Sequence, residues 1–330
     1  MATRAEAEPV PGSGQRLFGR GLKRALAPIA ETRGMTRTML LAGVVITLFF
    51  VLVALLAPLI SPYEFDTFQA DGRRFPQLAS PSADHLMGTT VQSTDVLSRV
   101  IWGTQTELKV VLVSLLLSLS IGVPLGLLSG YFGGPLDRAL VLLMDVMLAF
   151  PFLLLAIVIA FLLSGSIGRG ILTAAIAITV AYIPLYFRVI RNHVISIKEE
   201  SYVEAARALG ARPFTVIRKY VFFNVIQNVP PLATLNAADA ILLLAALGFL
   251  GYGIQPTEAA EWGYDIQRAV SDTASGIWWT GVFPGLAIVL LVTGLTLLGE
   301  GLNETINPVL RKRPKVKVDL SPSTTETETP

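Results

Sequence analysis

Two aspartates stand inside long apolar stretches, Asp145 in "LVLLMDVMLAF" and Asp239 in "NAADAILLLAAL". A carboxylate is costly inside a membrane, so an acid in such a position is a candidate for handling a proton, an ion or a substrate. Two such acids could also hydrolyse a peptide bond, but neither has the Gly-x-Gly-Asp or Tyr-Asp context of intramembrane aspartyl proteases. Structural hydrogen bonding is the competing interpretation for Asp145. For Asp239 we expect a place on a translocation path, together with Asn236 of the same stretch.

Other kinds of chemistry are excluded by composition and motif. The chain has no cysteine, so it has no disulfide, thiolate metal site or cysteine nucleophile. Its two histidines, His85 and His193, fall on opposite sides of the predicted membrane and cannot share a metal. No G-x-x-x-x-G-K-[ST] motif is present to hold nucleotide phosphates, so we expect the chain neither to hydrolyse ATP nor to carry a cofactor. The basic run "RKRPKVK" has few aromatic neighbours and indicates contact with anionic lipid, not nucleic acid.

The elements that carry these residues are predicted to be membrane-spanning helices. The chain is 52% hydrophobic and only 15% charged, with a mean hydropathy of +0.61. A spanning helix needs about 20 mostly apolar residues. Six segments qualify, and they predict an all-α membrane protein: 38–60, 107–129, 138–163, 170–190, 225–250 and 281–302. The fifth contains Pro230 and Pro231, so we expect it to be kinked and buried in the bundle.

Small and aromatic residues add two expectations about packing. Gly122, Gly126 and Gly130 form overlapping G-x-x-x-G units on the second span, which favour a close helix contact, more simply within the chain than with a partner. Trp262, Trp278 and Trp279 fit an aromatic belt at the outer membrane surface.

Lysine and arginine counts orient the spans. Twenty of the 26 basic residues lie in 1–37, in the loops after the second and fourth spans, and in the tail. Because positive charge marks the cytoplasmic side, both termini are predicted to be cytoplasmic. Residues 1–37 then form a basic N-terminal segment, and 311–330 a disordered polar tail. Long loops near 61–106 and 251–280 lie outside, and we expect the first to carry short helices.

The cytoplasmic loop 191–224 contains the stretch "SYVEAARALG", which is punctuated as a short helix. Ser201 and Glu204 have the spacing of a capping box, and alanines fill the interior. Gly210 suits a left-handed C-cap, and Pro213 suits the first turn of a following helix. Read from these residues alone, the helix is equally a docking surface for a partner or a plain connector.

The same stretch also carries a family resemblance. "EAARALG" followed by "IRKYVFFN" resembles the EAA loop of permease subunits of ABC importers. "HLMGTTVQSTDVLSRVIWGTQTEL", "LGLLSGYFGGPLDRALVLLMDVMLAFPFLLLAI", "FLGYGIQPTEAAEWG" and "FPGLAIVLLVTGLTLLGEGLNETINP" are similar, in order, to the C-type subunit of the dipeptide/oligopeptide permease family. The resemblance runs from about residue 38 to 310.

The resemblance implies a six-transmembrane-helix ABC importer permease bundle with a cytoplasmic coupling helix. On the motif fall Glu204, Ala205, Ala206 and Gly210, while Arg207 and Leu209 flank it. The implied subunit is not an enzyme and forms half of a pore in a prokaryotic cell membrane. Its implied partners are a homologous permease, two ATPase subunits (or one fused ATPase) that bind ATP and Mg, and an extracytoplasmic solute-binding protein.

The substrate is the least determined part of the interpretation. Peptides are the family's main case, while nickel chelates, oligosaccharides and glutathione are alternatives. The chain departs from the family pattern at 88–95, at Phe222 and Phe223, and at Leu243 and Leu244, where a Thr-Glu pair is common. An ion-coupled secondary transporter that uses Asp239 is the rival from another class, and a membrane enzyme that uses Asp145 and Asp239 is a second.

Overall fold

The structure, a computed structural model, describes residues 35–306. The predicted tail (311–330) and most of the predicted N-terminal segment (1–37) lie outside the described residues. The helices, numbered in chain order, are α1 (Met35–Ile60), α2 (Val96–Phe132), α3 (Gly134–Leu148), α4 (Phe152–Ile167), α5 (Ile171–Ile197), α6 (Ser201–Ala208), α7 (Pro213–Val216), α8 (Phe222–Val225), α9 (Val229–Phe249), α10 (Trp262–Ala274) and α11 (Trp279–Ile306). Two strands of two residues, β1 (Gln69–Ala70) and β2 (Arg73–Arg74), pair antiparallel.

Five helical segments of the described region are long and apolar enough to cross a membrane: α1, α2, α5, the run Pro213–Phe249 and α11. The pair α3 and α4 makes a sixth if it is counted as one crossing. This all-helical bundle confirms the predicted fold class. We call its two ends the α6 end, where α6 follows α5, and the α10 end, where α10 follows α9.

The third crossing differs from the single helix predicted for 138–163. α3 and α4 meet at an angle of 94°. Pro151 lies at the break as the N-cap of α4. Proline has no N–H for the helix ladder, and it disfavours helical backbone in the residue before it, so the chain turns at Ala149–Pro151.

The prolines of the fifth crossing also act differently from the predicted kink. Pro230 and Pro231 lie in the first turn of α9, where backbone N–H groups have no helical partner. The irregularity precedes them, as a π-helical turn (Ile217–Val221) and a 3₁₀ turn (Ile226–Asn228). α9 is therefore regular along its length.

Glycines set the closest helix contacts. A Cβ added to Gly122 would lie 2.9 Å from the Cβ of Tyr186 on α5, and one on Gly126 would lie 2.8 Å from the carbonyl oxygen of Phe187. The predicted G-x-x-x-G contact is therefore internal, between α2 and α5. A Cβ on Gly43 of α1 would overlap the backbone nitrogen of Leu298 on α11. These approaches bring the outer helices onto a core of alanine, leucine and isoleucine side chains.

The α10 end is closed by the two long connections. Residues 61–95 contain the β1–β2 pair in place of the expected short helices, and the side chain of Asp95 caps α2 by accepting from Ser98 N at 2.8 Å. Trp262 is fully buried and donates from its indole to Val100 O at 3.2 Å, because Gly103 leaves room for its ring. The prediction that Trp262 lies in an interfacial belt is therefore wrong. Trp279 is also buried and donates from its indole to Thr89 O at 3.2 Å, so the prediction is wrong for it too, whereas Trp278 is half exposed.

Candidate functional site

The short helix α6 is held at both ends by backbone geometry. Glu200 is its N-cap, so Ser201 is already the first helical residue and the predicted Ser201–Glu204 capping box does not form. At the other end Gly210 has φ of 80°, and its N–H donates to Arg207 O at 2.9 Å while Ala211 N donates to Ala206 O at 3.1 Å. This pair of bonds is a Schellman motif, and it confirms the left-handed C-cap predicted for Gly210.

One face of α6 is fixed to the bundle. Val203 and Ala206 are buried, and Val203 packs into a valine-rich cluster with residues of α2, α5 and α9. The guanidinium of Arg207 lies 5.0 Å from the centroid of the Tyr131 ring at the end of α2. A cation over an aromatic face contributes about 0.5–1 kcal/mol at an exposed site. α6 is therefore seated on the ends of the long helices.

The opposite face of α6 is uncovered and partly apolar. Leu209 is 89% exposed and Phe214, just beyond the turn, is 70% exposed. With the exposed residues Tyr202, Glu204 and Ala205 they form what we call the α6 surface. A large apolar group held rigidly in the open indicates a contact for another molecule.

The predicted coupling residues divide between these two faces. Glu204, Ala205 and Leu209 lie on the α6 surface, and Arg207 and Gly210 are exposed at its edge. Ala206 instead points into the bundle, because helix periodicity places it with Val203. Phe214 was missed by the sequence analysis, although a phenylalanine directly after Pro213, at the predicted start of the next helix, was a signal that could have identified it.

The α6 surface is joined to the fifth crossing through irregular backbone. α7 begins at Pro213, as predicted, and runs into the π-helical turn. Val216, Val221 and Val225 of this segment are buried in the same cluster as Val203. Single π-turns inside helices are frequent at functional sites. Packed side chains therefore connect α6 to this segment, and helical backbone is continuous from Pro213 to the end of α9.

The acids of α3 are tied to arginines of α5. Asp137 accepts from Arg191 Nε at 2.6 Å and Nη2 at 2.7 Å, and Asp145 accepts from Arg188 Nη2 at 2.7 Å. Asp145 thus has the structural role that was one of its two interpretations. It does not line the groove that contains Asp239, so the described residues do not assemble an aspartate pair for hydrolysis.

Asp239 lies in a groove of about 500 Å³ between α4, α5 and α9. Asn236, the other predicted path residue, is 4% exposed and does not line this groove. Its place on the path stays a prediction. Leu243 lines the groove, whereas Leu244 is fully buried.

The α10 end holds a buried set of acids. The carboxylate of Glu261 caps α10 by accepting from Gly263 N at 2.6 Å and Tyr264 N at 2.8 Å. Burial raises the pKa of Glu261 to about 7, and its two backbone donors oppose the rise. Burial also raises the pKa of Asp265, opposed by Arg99, whose Nε donates to it at 2.9 Å. Glu107 of α2 is completely buried beside Glu261.

The two histidines lie at opposite ends of the bundle. His85 Nδ1 lies 2.9 Å from Asp95 Oδ1 at the α10 end, and His193 Nδ1 lies 3.3 Å from Asn228 Nδ2 at the α6 end. Across residues 35–306 no group of three or more histidine, aspartate or glutamate side chains is placed to hold a metal ion.

Comparison with known proteins identifies the family pattern. Residues 122–312 match the family described as binding-protein-dependent transport system inner membrane component. Residues 35–81 match the N-terminal TM domain of oligopeptide transport permease C. Together these matches take in α1, the α6 surface and the helices from α3 to α11, but not residues 82–121, which include most of α2.

Individual relatives extend over most of the chain. The dipeptide transport system permease protein DppC of Alkalihalophilus pseudofirmus is 35% identical over 274 residues, 82% of this chain and 86% of its own. The di/tripeptide transport system permease protein DppC of Pseudomonas aeruginosa is 37% identical, covering 82% and 88%. The glutathione transport system permease protein GsiD of Pectobacterium atrosepticum is 31% identical, covering 80% and 85%.

A solved structure has the same fold. A chain of the MetNI methionine ABC transporter, determined in inward-facing conformations, superposes with a TM-score of 0.54. The two sequences are 20% identical, and the match covers 63% of this chain and 96% of that one.

Proposed function

The chain belongs to the family of binding-protein-dependent transport system inner membrane components, and we propose that it forms one half of the translocation pore of an ATP-driven importer. It is a multi-pass membrane protein of the permease type. The observation that carries the proposal is the α6 surface. A rigid helix, capped by the Gly210 turn and seated on the bundle, presents Leu209 and Phe214 to a partner.

The proposed partner at the α6 surface is an ATPase subunit. The sequence has no phosphate-binding loop, so ATP and Mg would bind to the partner, and this chain would be a non-catalytic transport subunit. Closure of two ATPase subunits, or of one fused ATPase, would move α6. The packed segment from Val216 to Val225 would pass that movement to α9. Coupling of this kind requires a structural element whose conformation is affected both by the ATPase contact and by the pore. The segment from α6 to α9 is our candidate for that element.

The remaining partners follow from the proposed orientation. The α6 end, where Arg188–Lys219 supply much of the positive charge, would face the cytoplasm with both termini. The α10 end would then meet an extracytoplasmic solute-binding protein. A homologous permease would complete the pore in a prokaryotic cell membrane.

Peptides are the proposed substrates. Relatives at 35% and 37% identity are named as dipeptide and di/tripeptide permeases. Glutathione, itself a small peptide, is the second candidate because a relative at 31% identity is named for it. An ion-coupled secondary transporter is the less favoured class, since such a protein has no need of a docking surface like that on α6.

Co-purification tests the proposal. The importer is expressed with all its subunits, and this chain carries Leu209→Asp or Phe214→Asp. Because both side chains are largely exposed, neither charge should unfold the bundle. We expect the ATPase to be lost from the purified complex while the permease stays in the membrane. Leu86→Asp, at a position 65% exposed at the α10 end, is the matched control and should retain the ATPase. Retention of the ATPase in all three variants would refute the docking role.

A further inference from the structure

The groove around Asp239 combines features that point to a ligand of definite chemistry. Its walls come from three helices that are distant in sequence: Phe152 and Leu153 of α4, Tyr182 and Leu185 of α5, and Asp239, Leu242, Leu243 and Ala246 of α9. Its volume of about 500 Å³ falls within the range of about 300–1,000 Å³ that is typical of small-molecule sites. Asp239 is the only acidic residue among these lining residues, and the others carry no formal charge at neutral pH.

The Asp239 carboxylate has no protein partner in residues 35–306. The arginine–aspartate ion pairs of this region involve Asp137, Asp145 and Asp265, and Asp239 takes part in none of them. It is exposed and lies ten residues from each end of α9, which places it well inside the apolar crossing Pro213–Phe249. An unpaired carboxylate at that depth is too costly to face lipid, so it requires water or a cation in the groove.

The broken third crossing gives independent support for a groove that does not face lipid. Ala149, Phe150 and Pro151 are not helical, and Phe152 directly after them lines the groove. Phe150 is 51% exposed, so this backbone is not enclosed by the chain itself. Non-helical backbone at membrane depth is tolerated only where it is buried in protein or lines a water-filled cavity. The groove beside this turn is therefore expected to face the pore, where water or the proposed homologous permease meets it, and not lipid.

The aromatic wall specifies the kind of cation. The rings of Phe152 and Tyr182 lie with their centroids 5.7 Å apart at an interplanar angle of 56°. Aromatic faces attract ammonium groups, and a carboxylate forms charge-assisted hydrogen bonds with them. A metal ion would need more oxygen ligands than this one carboxylate and the Tyr182 hydroxyl provide.

We propose that the groove formed by Asp239, Tyr182 and Phe152 binds the ammonium group of the transported solute. This proposal rests on the proposed function, and in a peptide the group is the protonated amino terminus. That amine has a pKa of about 7.7–8.0 and is therefore mostly charged at neutral pH. The apolar lining residues, among them Leu153 and Ala246, would receive the side chains of the peptide without selecting among them.

Thiol modification tests this site without relying on the binding protein. The chain has no cysteine, so a single cysteine can be placed by Leu242→Cys, at a groove position 48% exposed. The reconstituted importer is treated with a cationic trimethylammonium methanethiosulfonate or with an anionic sulfonate analogue. We expect the cationic reagent to react faster, and Asp239→Asn to reduce that preference. A unit charge about 4 Å away changes each rate about fivefold even at the dielectric constant of water.

Controls separate the groove from lipid and from partner contacts. Val45→Cys, on α1 and 65% exposed, should react slowly with both reagents. Asp239→Glu should keep the preference for the cation, and a dipeptide with a free amino terminus should protect Leu242→Cys better than its N-acetyl derivative. The proposal is overturned if Leu242→Cys reacts no faster than Val45→Cys, or if the preference survives Asp239→Asn. It is also overturned if Asp239→Asn separates the two permeases, since the carboxylate would then pair with the other subunit. Cation preference without ATP-coupled transport would refute the proposed function but not the site.

Discussion

The turn after α6 allows a prediction with a magnitude. Gly210 has φ of 80°, and a Cβ added there meets nothing within 4 Å. Gly210→Ala therefore adds backbone strain without a clash, about 1–2 kcal/mol for an L-residue in left-handed conformation. A cost of this size shifts the equilibrium between the formed left-handed turn and other conformations of these residues about 5- to 30-fold. Gly210→Pro is harsher, because proline requires φ near −65° and removes the N–H that donates to Arg207 O at 2.9 Å.

Gly276 supplies the matched control for this strain. It has φ of 83°, and a Cβ added there also meets nothing within 4 Å, but it lies at the α10 end. The assay is ATP hydrolysis by the reconstituted importer, stimulated by its solute-loaded binding protein. We expect Gly276→Ala to stay near wild type, Gly210→Ala to lose activity several-fold, and Gly210→Pro to fall to the unstimulated rate. Gly210→Asn should retain more stimulated ATP hydrolysis than Gly210→Ala, since asparagine tolerates this conformation better.

Either of two results would refute the coupling role of this turn. Equal losses in Gly210→Ala and Gly276→Ala, in importers that still bind the solute-loaded binding protein, would mean that strain acts on folding and not on coupling. Full stimulation in Gly210→Pro would mean that the geometry of the turn does not matter.

Two further predictions concern stability. Gly126→Val should lower the free energy of unfolding by about 1–3 kcal/mol through overpacking, because a Cβ there lies 2.8 Å from Phe187 O. Gly165→Val should change the free energy of unfolding little, because a Cβ there meets nothing within 4 Å. The melting temperature of the solubilised protein measures both effects. The pKa of Glu261, about 7, lies above its unfolded value of about 4.3, so the stability due to this group is fully present below pH 4.3 and is lost as pH rises through 7. Glu261→Gln keeps an amide oxygen for the α10 cap but cannot titrate, so its melting temperature should fall less than that of wild type between pH 5 and pH 8; parallel curves would contradict the assignment.

Helix-capping and helix-starting residues in the sequence were sufficient to predict the parts of the site that depend only on neighbouring residues. Gly210 and Pro213 occupy the predicted turn and helix start, because both are decided by backbone conformation. The N-terminal cap of α6 was misplaced by one residue, since Glu200 can take the cap conformation and leave Ser201 inside the helix. The inward position of Ala206 follows from which face of α6 meets the bundle, and that depends on α2 and α5.

Features that depend on distant contacts were not predictable in the same way. Pro151 marked a weak point in the third crossing, but hydropathy alone read 138–163 as one continuous span. The burial of Trp262 depends on Gly103 of α2, which leaves space for its ring and is distant from it in sequence. The groove joins Phe152, Tyr182 and Asp239 from three separate helices, and only their packing brings them together.

The docking role of the α6 surface is tested most directly by cross-linking. Because the chain has no cysteine, Leu209→Cys provides a single thiol at a position 89% exposed, to which a short photoactivated cross-linker can be attached. Illumination of the intact importer should give a covalent product of this chain with the ATPase subunit. Leu86→Cys, 65% exposed at the α10 end, should give no such product. The account is contradicted if Leu209→Cys supports transport yet yields no ATPase product, or if Leu86→Cys yields as much.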